Sequence, residues 1–183
     1  MVATARSIKK EHPNAKVVFI GPCAAKKLEA MRKTVRSEVD FVLTFEELMG
    51  LFEAKAVNFA DLPDNPEDAF NSASADGRGF AASGGVAQAV VNAIKKMDPD
   101  REVKVMAAQG LQECKKMLML AKAGKLNGYL LEGMACPGGC VAGAGTLQNP
   151  VKSTAALNKY KASAPEKYSV DSKYEITLNL LHD

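Results

Sequence analysis

Residues 102–133, EVKVMAAQGLQECKKMLMLAKAGKLNGYLLEG, decide the fold. EVKVMAAQG is a short valine-containing run that closes on Gly110, the pattern of a strand entering a turn. LQECKKMLMLAKAG reads as a helix ended by a glycine, and LNGYLLEG as a second strand. A strand, a helix and a strand in succession require a crossover, and a crossover makes the two strands parallel.

The same alternation extends upstream. KVVFI (Lys16–Ile20), closed by Gly21-Pro22, reads as a buried strand entering a loop, and VDFVL (Val39–Leu43) as another strand. Thr44 with Glu47 three positions on is a capping box for the helix FEELMGLFEAK. Ser83-Gly84-Gly85 opens a helix through Met97 that Asp98-Pro99 ends. Residues 61–76, DLPDNPEDAFNSASAD, lack periodicity and read as an exposed, flexible connection or a poorly ordered insertion, a candidate boundary between two lobes. After Pro150 one helix is expected, then an alternating run, YEITLNL (174–180), as an edge strand. The expected fold is α/β: a mostly parallel sheet with flanking helices, in one to two lobes.

Composition narrows the function classes. The net charge of +3 is small and lysines alternate with acids, so no basic stripe tracks a phosphate backbone and nucleic acid is not an expected partner. Apolar runs are broken well before the ~20 residues a membrane span needs, and Met1–Glu11 carries its lysines at the wrong end for a signal peptide. Reduced thiols in a cytoplasmic protein are expected.

In parallel α/β folds ligands gather beyond the carboxyl ends of the strands. Cys23 follows the strand ending at Ile20, and Cys136 and Cys140 follow the strand ending near Glu132. Cys114 sits mid-helix and reads as a small, partly buried apolar residue. A cysteine after Gly-Pro is also a common turn residue, and a three-residue gap between cysteines is neither a thioredoxin-like pair nor half of a zinc pattern. His12 and His182 are the only histidines, both near the termini. The glycines at 138, 139, 143 and 145 favour a sulfur cluster over zinc: backbone amides can approach an inorganic anion and donate to its sulfurs, and a helix starting after Cys136 would add favourable potential. Lys26, three residues after Cys23, shares the side of an initiating helical turn and either faces the thiolate's ligand or is solvated beside Lys27. Glu29 is placed to pair with Lys26 or Lys33.

GPCAAKKLE (Gly21–Glu29) resembles the second signature of the iron-only, or FeFe, hydrogenases, Pro-Cys-x-x-Lys-x-x-Glu, and EGMACPGGCVAGAG (Glu132–Gly145) resembles their third, Glu-x-Met-x-Cys-x-x-x-Cys followed by glycines. VDFVLTFEEL and GFAASGGVAQAV are similar to the segments between them, so the resemblance spans roughly residues 16–150. It implies that Cys23, Cys136 and Cys140 ligate the 4Fe-4S half of the H-cluster, with Cys140 bridging to the di-iron half. It also implies that Lys26 hydrogen-bonds a cyanide ligand on the distal iron, that Phe80 and Met134 wall the di-iron site, and that Ser83 stands nearby. Glu132 and Glu29 are expected to fix loops by hydrogen bonds. The implied reaction is reversible reduction of protons to dihydrogen. The implied partners are ferredoxin-type electron carriers or fused cluster domains, together with hydrogenase maturation proteins.

The family's first signature and its ferredoxin-like domains are not in the sequence, so residues 1–183 are expected to be a partial catalytic domain, inactive and cluster-free in isolation. Gly21 stands where many members have methionine, and AGAG replaces an all-glycine run, as in branches read as sensory. A hydrogen-sensing relative, a non-catalytic iron-sulfur assembly module and a metal-free α/β interaction domain are the alternatives. Lys26 argues against an assembly module, since a plain 4Fe-4S cluster has no cyanide to hold.

Overall fold

The computed structural model describes residues 1–35, 38–63 and 72–172. They divide into two compact units, one holding residues 1–63 and the short return Gly143–Leu147, the other residues 72–142 and Gln148–Ser172.

The first unit begins with a helix that the sequence reading left unassigned, α1 (Val2–Glu11), whose one buried residue is Ala5. β1 (Val18–Ile20) pairs in parallel with β2 (Phe41–Leu43), and α2 (Ala25–Met31) lies between them in the chain. Asp40 ties these elements together. Its carboxylate accepts from Val17 N at 2.8 Å and pairs with Lys9 Nζ at 3.0 Å and Lys16 Nζ at 3.2 Å. The Val17 amide first, then the two ammonium groups, hold the Asp40 carboxyl well below the usual carboxylate range. α3 (Phe45–Ala54) starts on the expected capping box: Thr44 Oγ1 accepts from Glu47 N at 3.2 Å and Thr44 N donates to Glu47 Oε2 at 2.8 Å. Lys27 Nζ, 2.8 Å from the same Glu47 oxygen, is the main cause of that carboxyl's lowered pKa.

In the second unit α4 (Ala75–Gly79) and α5 (Gly85–Met97) precede the crossover β3 (Lys104–Gln109), α6 (Leu111–Lys122), β4 (Tyr129–Met134). β3 and β4 are parallel over six register pairs, from Lys104↔Tyr129 to Gln109↔Met134, as residues 102–133 require. α7 (Pro150–Ala162) has Pro150 in its first turn, and Asn149 Oδ1 caps it by accepting from Val151 N at 2.9 Å. A buried clasp joins the helices. Arg78 donates to Tyr160 O at 2.6 Å and to Ser163 Oγ at 3.2 Å and stacks 3.8 Å over the Tyr160 ring, while Asp76 accepts from Asn92 Nδ2 at 2.7 Å and Ser169 N at 3.2 Å.

The expected α/β class, with parallel strands and flanking helices, holds, and among the described residues those strands form two two-stranded ladders. The strand expected to be buried at Lys16–Ile20 is half open, with Val18 45% and Ile20 43% exposed. At the described ends of 61–76 stand a 3-10 turn, Phe59–Asp61, and α4, whose cap Ser74 accepts from Gly77 N at 3.1 Å. The rest of it, 64–71, and the expected edge strand 174–180 lie outside the described residues.

Candidate functional site

The second unit builds a thiol loop at the carboxyl end of β4. Met134 ends the strand, Cys136 follows two residues on, and Cys140 opens a 3-10 turn, Cys140–Ala142. Between the cysteines Gly138 and Gly139 have φ of +90° and +96°, a region in which a side chain is strained. Gly139 is also pressed onto residues 81–83: a Cβ there would stand 2.5 Å from Ser83 N and 2.7 Å from Ala82 C. Ser83 N donates to Gly138 O at 3.1 Å and Val141 N to Ala81 O at 2.9 Å, so the loop is stapled at two points to the segment linking α4 and α5. Ser83, Met134, Cys136 and Cys140 are therefore tied together through the loop backbone, and Phe80 immediately precedes the stapled segment. None of the four cysteines is in a disulfide, and all are of intermediate exposure.

Glu132 secures that construction from inside. Only 7% exposed, its carboxylate accepts from Gly84 N, from Val86 N at 3.0 Å and from Ala87 N at 3.0 Å, the first amides of α5. A helix N-terminus carries unsatisfied donors and positive potential, so a buried carboxylate is well matched to it. This is the loop-fixing role expected of Glu132. It locks the end of β4 to the residues just after Ser83.

One expectation for the loop is corrected. No α-helix starts within residues 136–149; Gly139 N instead donates to Cys136 O at 2.9 Å, closing a turn. The Gly138 amide donates to Gln109 Oε1 at 2.6 Å. The loop amides thus set the turn geometry. Gln109 was not singled out from the sequence, where Gln109-Gly110 reads only as a strand end and turn.

In the first unit Cys23 lies three residues beyond β1. Lys26 N donates to Cys23 O at 3.3 Å, so Lys26 stands on the initiating turn of α2 as expected. Its ammonium is ion-paired with Glu29, both side chains being 33% exposed. The return segment Gly143–Leu147 packs beside Cys23's own loop: Gly145 N donates to Pro22 O at 3.0 Å, and a Cβ on Gly145 would come within 2.5 Å of Thr44 Cβ. Cys114 faces the β3–β4 ladder from α6, its Sγ donating to Ala108 O and Met134 O, each at 3.6 Å.

The donors fit an iron-sulfur cluster in kind: thiols outside any disulfide, two of them on a loop in which Gly139 leaves no room for a side chain. They do not complete a cluster's ligand set. Among the described residues no three His, Cys, Asp or Glu side chains stand together as a metal-holding group. Cys136 and Cys140 belong to the second unit and Cys23 to the first.

Residues 1–144 match the family model for the C-terminal domain of the iron-only hydrogenase large subunit. The chain is 31% identical over 172 residues to the periplasmic [Fe] hydrogenase large subunit of Nitratidesulfovibrio vulgaris, covering 77% of this chain and 41% of that protein. It is 29% identical over 193 residues to cytosolic iron-sulfur assembly component 3 of Pongo abelii, covering 81% and 40%. A solved [FeFe]-hydrogenase HydA1 from Chlamydomonas reinhardtii superposes with a TM-score of 0.65 at 21% identity, covering 100% of this chain and 63% of that one. The chain thus spans about two fifths of the length of these curated relatives. No helix among the described residues is long and apolar enough to cross a membrane.

Proposed function

Because the chain belongs to the iron-only hydrogenase large-subunit family, we propose that it is the part of a hydrogenase catalytic domain that supplies Cys23, Cys136 and Cys140 to the H-cluster and Lys26 to the ligands of its di-iron half. The observation that carries the reading is the stapled loop of residues 134–141: two thiols, neither in a disulfide, flanking Gly139, which has no space for a Cβ. Nothing about α/β packing alone demands that arrangement.

When bound, the cluster supplies the redox chemistry of reversible proton reduction to dihydrogen. The chain's own residues hold and surround it. Cys23, Cys136 and Cys140 would serve as its thiolates, and Cys140 would also serve the di-iron half. Lys26 offers a charge-assisted donor to a cyanide ligand, and Glu29, its ion-pair partner, restrains the ammonium. Met134 and Phe80 exclude water from the reacting face and Ser83 provides a hydroxyl beside it. Glu132 holds the walls in register through its three amide contacts. Electrons reach the site from a ferredoxin-type carrier or a fused cluster domain, and maturation proteins install the di-iron half.

The test is infrared spectroscopy of the complete catalytic polypeptide after maturation. Carbonyl and cyanide stretching bands are expected; a cubane without those bands would instead favour the non-catalytic assembly reading, which the likeness to the Pongo abelii assembly component keeps as the second reading.

A further inference from the structure

We propose that Gln109 is a positioning residue for the thiol loop, fixing the Gly138 peptide and with it the mutual placement of Cys136 and Cys140; the ligand role of those thiols rests on the function proposed above. Gln109 ends β3 and is the register partner of Met134, so its backbone is set by the ladder that delivers the loop. The β3–α6 turn holds the loop at two points. Gly110 N donates to Met134 O at 2.8 Å, where the loop begins. Gln109 Oε1 then accepts from Gly138 N at 2.6 Å.

Gly138 is thereby held from both sides, its N–H by Gln109 and its C=O by Ser83 N. That matters because Gly138-Gly139 is the most conformationally permissive dipeptide possible, and both residues sit at positive φ. A side-chain acceptor anchored on a strand end restrains such a dipeptide from a backbone that the ladder already orders. Gln109 itself is exposed. Its loss removes a contact to the loop without opening the unit's interior.

The experiment uses the 183-residue chain with Gln109→Leu and Gln109→Glu. Leucine lacks the acceptor; glutamate keeps it. Amide exchange at Gly138, read by NMR, and alkylation of each cysteine, read by mass spectrometry, are compared with the unsubstituted chain. Loss of one hydrogen bond should raise Gly138 exchange and Cys136 and Cys140 alkylation about tenfold in Gln109→Leu. Cys23 and Cys114 should not change, and Gln109→Glu should restore Gly138 protection. Unchanged exchange and alkylation in Gln109→Leu, or no restoration by glutamate, would overturn the proposal. Neither readout requires iron, so a failure of the complete polypeptide to bind a cluster would count against the proposed function alone.

Discussion

At the scale of single residues, Lys26 and Glu132 make opposite kinds of contribution. The Lys26–Glu29 pair is an i,i+3 contact one-third exposed, of a kind that contributes under about 1 kcal/mol to stability. Lys26→Ala should therefore leave the urea unfolding midpoint of the chain nearly unmoved, while hydrogen evolution by the matured catalytic polypeptide falls at least about tenfold through loss of a charge-assisted donor. Unchanged evolution would remove Lys26 from the site. Glu132 serves the fold first: Glu132→Ala leaves three amides at the start of α5 without their acceptor and should cost about 2–4 kcal/mol in denaturant titration. Gly139→Ala must place a methyl against the Ala81–Ser83 backbone and hold alanine at φ +96°, and should cost about 2 kcal/mol or more while displacing Cys140. A neutral Gly139→Ala would mean the loop is not pressed against Ser83.

At the scale of elements, the local signals were the legible ones. The Thr44–Glu47 box and the Gly85–Met97 helix depend on residues within a few positions of each other, and the strand-helix-strand of 102–133 is set by its own alternation. Contacts between distant segments were not legible. Glu132 reaches amides 45 to 48 positions away and Gln109 reaches Gly138 across 29, and no periodicity encodes such pairings. α1 escaped for a related reason: it buries Ala5 alone and offers no apolar stripe, its place being set by the Lys9–Asp40 pair. That pair is testable by pH. Asp40's pKa is lowered on folding, so its contribution to stability is present above the unfolded value, about 4, and declines as pH falls below it. Asp40→Asn should flatten the dependence of unfolding midpoint on pH below about 4; an unchanged acid limb would show that the carboxylate does not anchor α1 and β1.

At the scale of the whole molecule, the motifs pointed to the family before the fold could. Proline, cysteine, lysine and glutamate at fixed spacings carried that resemblance, and the cysteines of both motifs follow the carboxyl end of a parallel strand, β1 or β4. What the spacings could not carry is that the strands form two ladders among the described residues, because a two-stranded and a four-stranded parallel sheet have the same alternation along the chain. The cysteine count bounds what this chain does by itself. A cubane takes four thiolates, and of the four cysteines here Cys114 is turned to the backbone of β3 and β4. The isolated chain is therefore expected to bind well under one complete cubane's iron; about four irons per chain with a stable cubane spectrum would contradict this.

The claim that Cys23 joins Cys136 and Cys140 on one cluster is tested most directly by cysteine-to-serine substitution in the complete catalytic polypeptide, with iron content and cubane electron paramagnetic resonance as readouts. The account predicts that Cys23→Ser, Cys136→Ser and Cys140→Ser each lose most of the cubane signal while Cys114→Ser keeps it. A Cys23→Ser protein with a full, unaltered cubane signal would contradict it.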